Sequence, residues 1–89
     1  MKGGFNMDRL FVVIIDDGEP VIFRNSLKAY RYIKDCVIEH GKSYNYEKQE
    51  ISESLDELSE TFVDFNKTNY FGTYLGDFEA HCYASKIED

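Results

Sequence analysis

Residues Leu10 to Ile15, LFVVII, are apolar at every position. An apolar run this short, without polar alternation, predicts a central strand covered on both faces. Asp16-Asp17-Gly18-Glu19-Pro20 follows and is dense in turn residues, with Gly18 suited to a positive φ. Val21 to Phe23 is then the return strand of a β-hairpin. Asn25 or Ser26 is suited to cap a helix. Beyond them, apolar positions recur at Leu27, Tyr30, Ile33 and Val37, flanked by Ala29 and Cys36. That spacing predicts an α-helix, and Gly41 stands where a left-handed residue would end it.

A connector, KSYNY, precedes a second helical pattern with apolar positions Ile51, Leu55, Leu58, Phe62 and Phe65. Asn45 is the expected cap, with Glu47 near the positive end of the helix. Ser54 and Glu57 offer a later capping box. The helix is expected to reach about Phe65, where NKTN breaks it. Two further strands follow, Tyr70 to Leu75 and one from Phe78, joined by the two-residue turn Gly76-Asp77. In the last strand Phe78, Ala80, Cys82 and Ala84 alternate with Glu79, His81, Tyr83 and Ser85, the mark of one buried face. The order β-β-α-α-β-β predicts an α+β fold, an antiparallel sheet of about four strands with two helices packed on it.

Composition adds scale and compartment. The chain has 89 residues, 43% hydrophobic and 16% aromatic, enough for one domain with its own core. Residues 1–6 are expected to be a flexible leader and residues 7–89 the domain. Lys2-Gly3-Gly4 can be encoded by a purine-rich ribosome-binding sequence a short spacer before the Met7 codon, so Met7 is the expected native start. No apolar run approaches the ~20 residues of a membrane span, and no secretory signal is visible. Cys36 and Cys82 are too few for a disulfide framework and are expected to be thiols in a reducing compartment. The cytoplasm of a bacterial host cell is the expected location, without membrane contact.

Charge changes the picture most. The net charge is −7, and residues 47–65 carry seven carboxylates against Lys48, which is −6 of that total. At 100° per residue, Glu50, Glu53, Glu57, Glu60 and Asp64 fall within about 80° of arc, roughly opposite the apolar stripe. Their neighbours at i+3 and i+4 are like-charged, a cost of about 0.2–0.5 kcal/mol per pair. The apolar stripe offsets that easily, at about 1.5–3 kcal/mol per buried large side chain. The seven carboxylates span about 25 Å of helix, one per roughly 4 Å. One DNA strand carries a phosphate every ~3.4 Å. The stripe is therefore a candidate binding face for a basic protein surface, or a solubility face. Tyr44, Tyr46, Tyr70 and Tyr74 flank it in sequence, and tyrosine is favoured at interface hot spots. Tyr44 and Tyr46 join the five carboxylates as candidate partner-binding residues.

Other chemistry is sparse. Arg24, Lys28, Arg31 and Lys34 form a basic stretch, but the overall charge argues against direct nucleic-acid binding. Cys36 and His40 are four apart on a helix. His81 and Cys82 are neighbours on a strand and so face opposite ways, which argues against a shared zinc ion. Asp16, Asp17 and Glu19 lack the spacing of a calcium loop. No phosphate loop or nucleophile elbow is present. The expectation is a non-enzymatic protein without metal or cofactor.

In size, acidity, tyrosine content and lack of catalytic motifs, the whole chain resembles the small inhibitor proteins of bacterial viruses, the anti-CRISPR and DNA-mimic class. That resemblance implies a viral or mobile-element inhibitor that blocks the nucleic-acid-binding surface of a host protein such as a nuclease. A different reading is a small accessory subunit or homodimer that binds a protein partner through apolar and tyrosine contacts.

Overall fold

The apolar run forms β1 (Phe11–Ile15), paired antiparallel with β2 (Val21–Phe23) in the register Phe11↔Phe23 and Val13↔Val21. The computed structural model describes residues 9–85, so the expected leader and the Met7 start lie outside the described residues. Helices α1 (Ser26–Ser43) and α2 (Lys48–Val63) follow, then a single helical turn, α3 (Phe65–Thr68). Strands β3 (Tyr70–Leu75) and β4 (Phe78–Ala84) close the chain. The four strands make one antiparallel sheet in the order β2-β1-β4-β3, so the two hairpins join through the central pair β1–β4. The α+β architecture and the element order expected from the sequence are both present.

Both long helices pack on one face of the sheet. α1 lies across all four strands and α2 packs chiefly on β3. The core between the layers holds Phe11, Val13, Ala29, Ile33, Val37, Leu58, Phe71, Leu75, Phe78, Ala80 and Cys82. An aromatic group fills one end, where Phe62 meets Tyr30 at 4.6 Å and Phe71 edge-on at 4.9 Å between ring centroids. The alternation expected for β4 holds, with Phe78, Ala80 and Cys82 buried.

Several local expectations are corrected. β1 is covered on one face only, because both helices lie on the same side; Val12 and Ile14 point to the other side and are part-exposed. The buried stripe of α1 is Ala29, Ile33, Val37 and Gly41, and Leu27 is exposed. Gly41 does not end the helix. It lies within α1, where an added Cβ would stand 2.5 Å from the Ile51 side chain, so glycine lets the two helices approach. Asn45 is not the α2 cap but the left-handed residue of the connector, with φ 58°. The cap is Glu47, in a reciprocal capping box with Glu50. Ser54 sits inside the helix, buried. At the first hairpin the positive φ values belong to Asp16 (49°) and Asp17 (60°) rather than to Gly18. Aspartate tolerates this region better than most residues, and Asp16 Oδ1 also accepts the Glu79 N–H at 2.9 Å.

Two hydroxyl groups cover part of the free edge of β3. Thr61 Oγ1 accepts the Gly72 N–H at 3.0 Å, and Thr68 Oγ1 accepts the Tyr70 N–H at 3.3 Å. The other edge strand, β2, has only three residues. Short or covered edges prevent uncontrolled strand addition. Among the described residues, no helix is long and apolar enough to cross a membrane.

Candidate functional site

The apolar face of α2 fixes where its carboxylates go. Leu58 and Ser54 face the sheet, so Glu50, Glu53, Glu57, Glu60 and Asp64 run along the flank above the β3 edge, all exposed. They are not equivalent. Glu50 Oε1 accepts the Glu47 N–H at 3.1 Å as part of the cap. Glu53 Oε2 accepts from Gln49 Nε2 at 3.2 Å. Glu57 Oε1 lies 2.9 Å from the hydroxyl of buried Thr73. Asp64 ends α2 through its backbone. Among the described residues, no lysine or arginine pairs with any carboxylate; the one histidine–carboxylate contact is His81 Nε2 with Glu79 Oε1 at 2.8 Å. The basic residues Arg24, Lys28, Arg31 and Lys34 of the neighbouring region are exposed and leave the stripe uncompensated.

Glu50, Glu53, Ser54 and Glu57 wall a shallow cavity of about 270 Å³ with Tyr74, Leu75 and Gly76 of the second hairpin. Glu50 also borders a second cavity of about 500 Å³, lined by His40, Tyr44, Asn45, Tyr46 and Asp77. The structure thus brings Glu50, Tyr44 and Tyr46 together and continues through Glu53 and Glu57. Glu60 and Asp64 lie further along α2. Tyr44 is 68% exposed. Tyr46 is half-buried, with its hydroxyl over Gly76, whose φ of +62° and missing side chain make room for it.

The uncovered face of the sheet carries residues that sequence reasoning did not assemble. Cross-strand register places Ile22, Val12, Tyr83 and Tyr70 in one row, Ile14, His81 and Gly72 in the next, and Glu79 beside Tyr74. Ile22, Tyr74 and Tyr83 are 59%, 53% and 49% exposed. Across this face runs a polar relay. Tyr70 Oη lies 2.7 Å from His81 Nδ1, and His81 Nε2 lies 2.8 Å from Glu79 Oε1. With Glu79 ionised, a neutral His81 carries its proton on Nε2 and donates it to the carboxylate, so Nδ1 accepts from the Tyr70 hydroxyl. Burial, then the neighbouring tyrosines and the carboxylates of Glu57 and Glu79, pushes Tyr70 up to about 12. The alternating pattern of β4 was legible in the sequence, but the pairing of Tyr70 with His81 needs the β3–β4 register.

The remaining candidates separate. Cys82 is buried in the core and His81 faces away from it. His40 stacks on Phe78 at 4.4 Å and meets Tyr44 at 4.5 Å. The Cys36 thiol is pushed up by burial, with Asp35 and Glu39 adding to the shift against a hydrogen bond from Tyr32. That favours the neutral thiol over the nucleophilic thiolate. Among the described residues, no three His, Cys, Asp or Glu side chains converge on a metal position. No family model matches the chain, and comparisons with characterised proteins and with solved structures find no counterpart.

Proposed function

We propose that this is a non-enzymatic protein-interaction module whose acidic flank, from Glu50 to Asp64, binds a basic surface of a protein partner. The observation that carries the reading is the unpaired state of the five carboxylates, all exposed and without a lysine or arginine partner among the described residues. An ordinary surface helix mixes signs, because opposite charges at i+4 stabilise it. A row of unpaired carboxylates steers a basic partner and sets its register more than it adds raw affinity. Counted with Glu47 and Asp56, the carboxylates of this segment come one per roughly 4 Å, close to the ~3.4 Å between phosphates along one nucleic-acid strand. The partner class is therefore a host protein that ordinarily holds nucleic acid, such as a nuclease, and the module acts as an inhibitor.

The test is capture from host lysate at rising salt, with excess DNA as competitor. Glu53→Lys with Glu60→Lys is the informative reversal, since Glu50 caps α2 and Glu57 bonds Thr73. A DNA-binding partner that salt and DNA displace, and that the double reversal no longer captures, supports the reading. Capture that survives both reversals and high salt sinks it.

A second reading has its own support. The uncovered sheet face exposes Ile22, Tyr74 and Tyr83 beside Val12 and Ile14. An accessory subunit or homodimer would use that face through apolar and tyrosine contacts. Its signature is the opposite one, a complex that high salt preserves and Tyr83→Asp or Ile22→Asp breaks.

A further inference from the structure

The cavity at the α1–α2 connector has a more specific chemistry than the acidic flank. A graded set of rings leads into it. Phe78 is buried in the core, His40 stacks on it at 4.4 Å with 24° between planes, and Tyr44 lies 4.5 Å from His40. Tyr46 joins at 5.7 Å from His40. The outermost ring, Tyr44, is 68% exposed. Two carboxylates border the same space, Glu50 from the first turn of α2 and Asp77 from the tip of the second hairpin. Among the described residues, no lysine or arginine lines it.

Aromatic faces and carboxylates share one preference, for a cation. Among biological cations the guanidinium suits both features, because it is planar, stacks on rings and offers a fork of donors to carboxylates. Glu50 spends one oxygen on the Glu47 N–H and keeps the other. At about 500 Å³ the space is larger than one side chain and accommodates the adjoining peptide units as well. The walls are anchored: the connector by the Tyr46 N–H to the Gly41 carbonyl at 2.9 Å, and the hairpin by the Tyr46 hydroxyl over Gly76.

From this we infer that the cavity is a receptor for an arginine side chain of the basic partner. It supplies the anchor, while the α2 flank supplies steering. The inference rests on the basic-partner reading above and names the residue that reading leaves open.

The probes are a blocked Gly-Arg-Gly peptide, its lysine and citrulline counterparts, and nona-arginine, each titrated at pH 8 into the ¹⁵N-labelled full chain. The expected result is saturable shifts at His40, Tyr44, Asn45, Glu50 and Asp77 with the arginine peptide, weaker ones with lysine, and none with citrulline. Tyr44→Ala should weaken arginine binding about 2–5-fold, the size of an exposed cation–π contact. Asp77→Asn should weaken it similarly. Equal binding of arginine and citrulline overturns the inference. So does nona-arginine moving Glu53, Glu57 and Glu60 while the cavity stays silent, an outcome that leaves the basic-partner reading intact. Nona-arginine that moves nothing overturns both.

Discussion

Thr73 Oγ1 lies 2.9 Å from Glu57 Oε1, so the middle carboxylate of the acidic flank is tied to a fully buried hydroxyl. The same hydroxyl lies 2.8 Å from the Ser54 carbonyl and 2.9 Å from Ser54 Oγ. One proton cannot serve every acceptor, so Ser54 Oγ donates to Thr73 while Thr73 donates onward. This buried pair fixes α2 on β3 and sets the height of the flank above the strand edge. Thr73→Val keeps the shape and removes the hydroxyl, leaving Ser54 without its partner. The expected cost is about 1–3 kcal/mol, read as a lower urea midpoint at unchanged m-value. The double change Ser54→Ala with Thr73→Val should recover part of that loss, because no buried group is then left unpaired.

Thr61 makes the corresponding bond to the edge of the sheet, accepting the Gly72 N–H at 3.0 Å. Thr61→Val removes the acceptor but leaves the packing volume. The Gly72 amide should then exchange with solvent at least about tenfold faster, since about 1.4 kcal/mol of local protection corresponds to that factor. Amides on the inner rungs, such as Cys82, should slow or quicken only with global stability. An unchanged Gly72 rate would show that this edge is covered by α2 as a whole rather than by one hydroxyl.

These two bonds mark where sequence reasoning stops. Element order was legible because Ile51, Leu55, Leu58 and Phe62 keep a helical period while Phe78, Ala80, Cys82 and Ala84 keep a strand period. The acidic flank was legible for the same reason, as a second stripe at fixed angle from the first. What Ser54, Thr61 and Thr73 do was not. Each is a small polar residue that reads as surface until β3 is known to lie beneath α2. The Tyr70–His81–Glu79 relay was hidden likewise, since it joins two strands at a register set by the Gly76-Asp77 turn. Leu27 and Gly41 misled in opposite directions: an apolar side chain left in solvent, and a glycine kept for helix contact rather than for a turn.

Alkaline pH should weaken the fold through its buried thiol. Burial pushes Cys82 up to about 12, against about 8.5 in an unfolded chain. The folded value is raised, so the stability this group contributes is complete below about 8.5 and is lost as pH rises toward about 12. Between those values the unfolded chain has released the proton and the folded one has not. The slope is at most about 1.4 kcal/mol per pH unit. Tyr70, also pushed up to about 12, adds the same sign only above about 10. Cys36, also pushed up by burial, carries the same sign, so the Cys82 contribution is read as the difference in urea midpoint between the native chain and Cys82→Ala at pH 8 and pH 10. Cys82→Ala should be less stable than the native chain at pH 8, and that gap should narrow by pH 10. A constant gap would mean that Cys82 titrates alike in both states.

Glu60 separates stability from binding. It is exposed, its side chain forms no hydrogen bond among the described residues, and it stands among Asp56 at i−4, Glu57 at i−3 and Asp64 at i+4. Glu60→Lys therefore removes three repulsive pairs and creates three attractive ones. At about 0.2–0.5 kcal/mol per pair, the variant should be more stable by roughly 1–3 kcal/mol at low salt. The gain should shrink as salt screens it, since the Debye length falls to about 3 Å at 1 M. If the flank is the contact, the same variant should lose at least about tenfold in affinity for a basic partner, mostly through slower association. A more stable chain that binds worse is the outcome expected when carboxylates are kept for a partner rather than for the fold. Lower stability would refute the repulsion along this flank. Higher stability with unchanged binding would move the contact away from Glu60, toward the cavity at Tyr44 or the tyrosine face of the sheet.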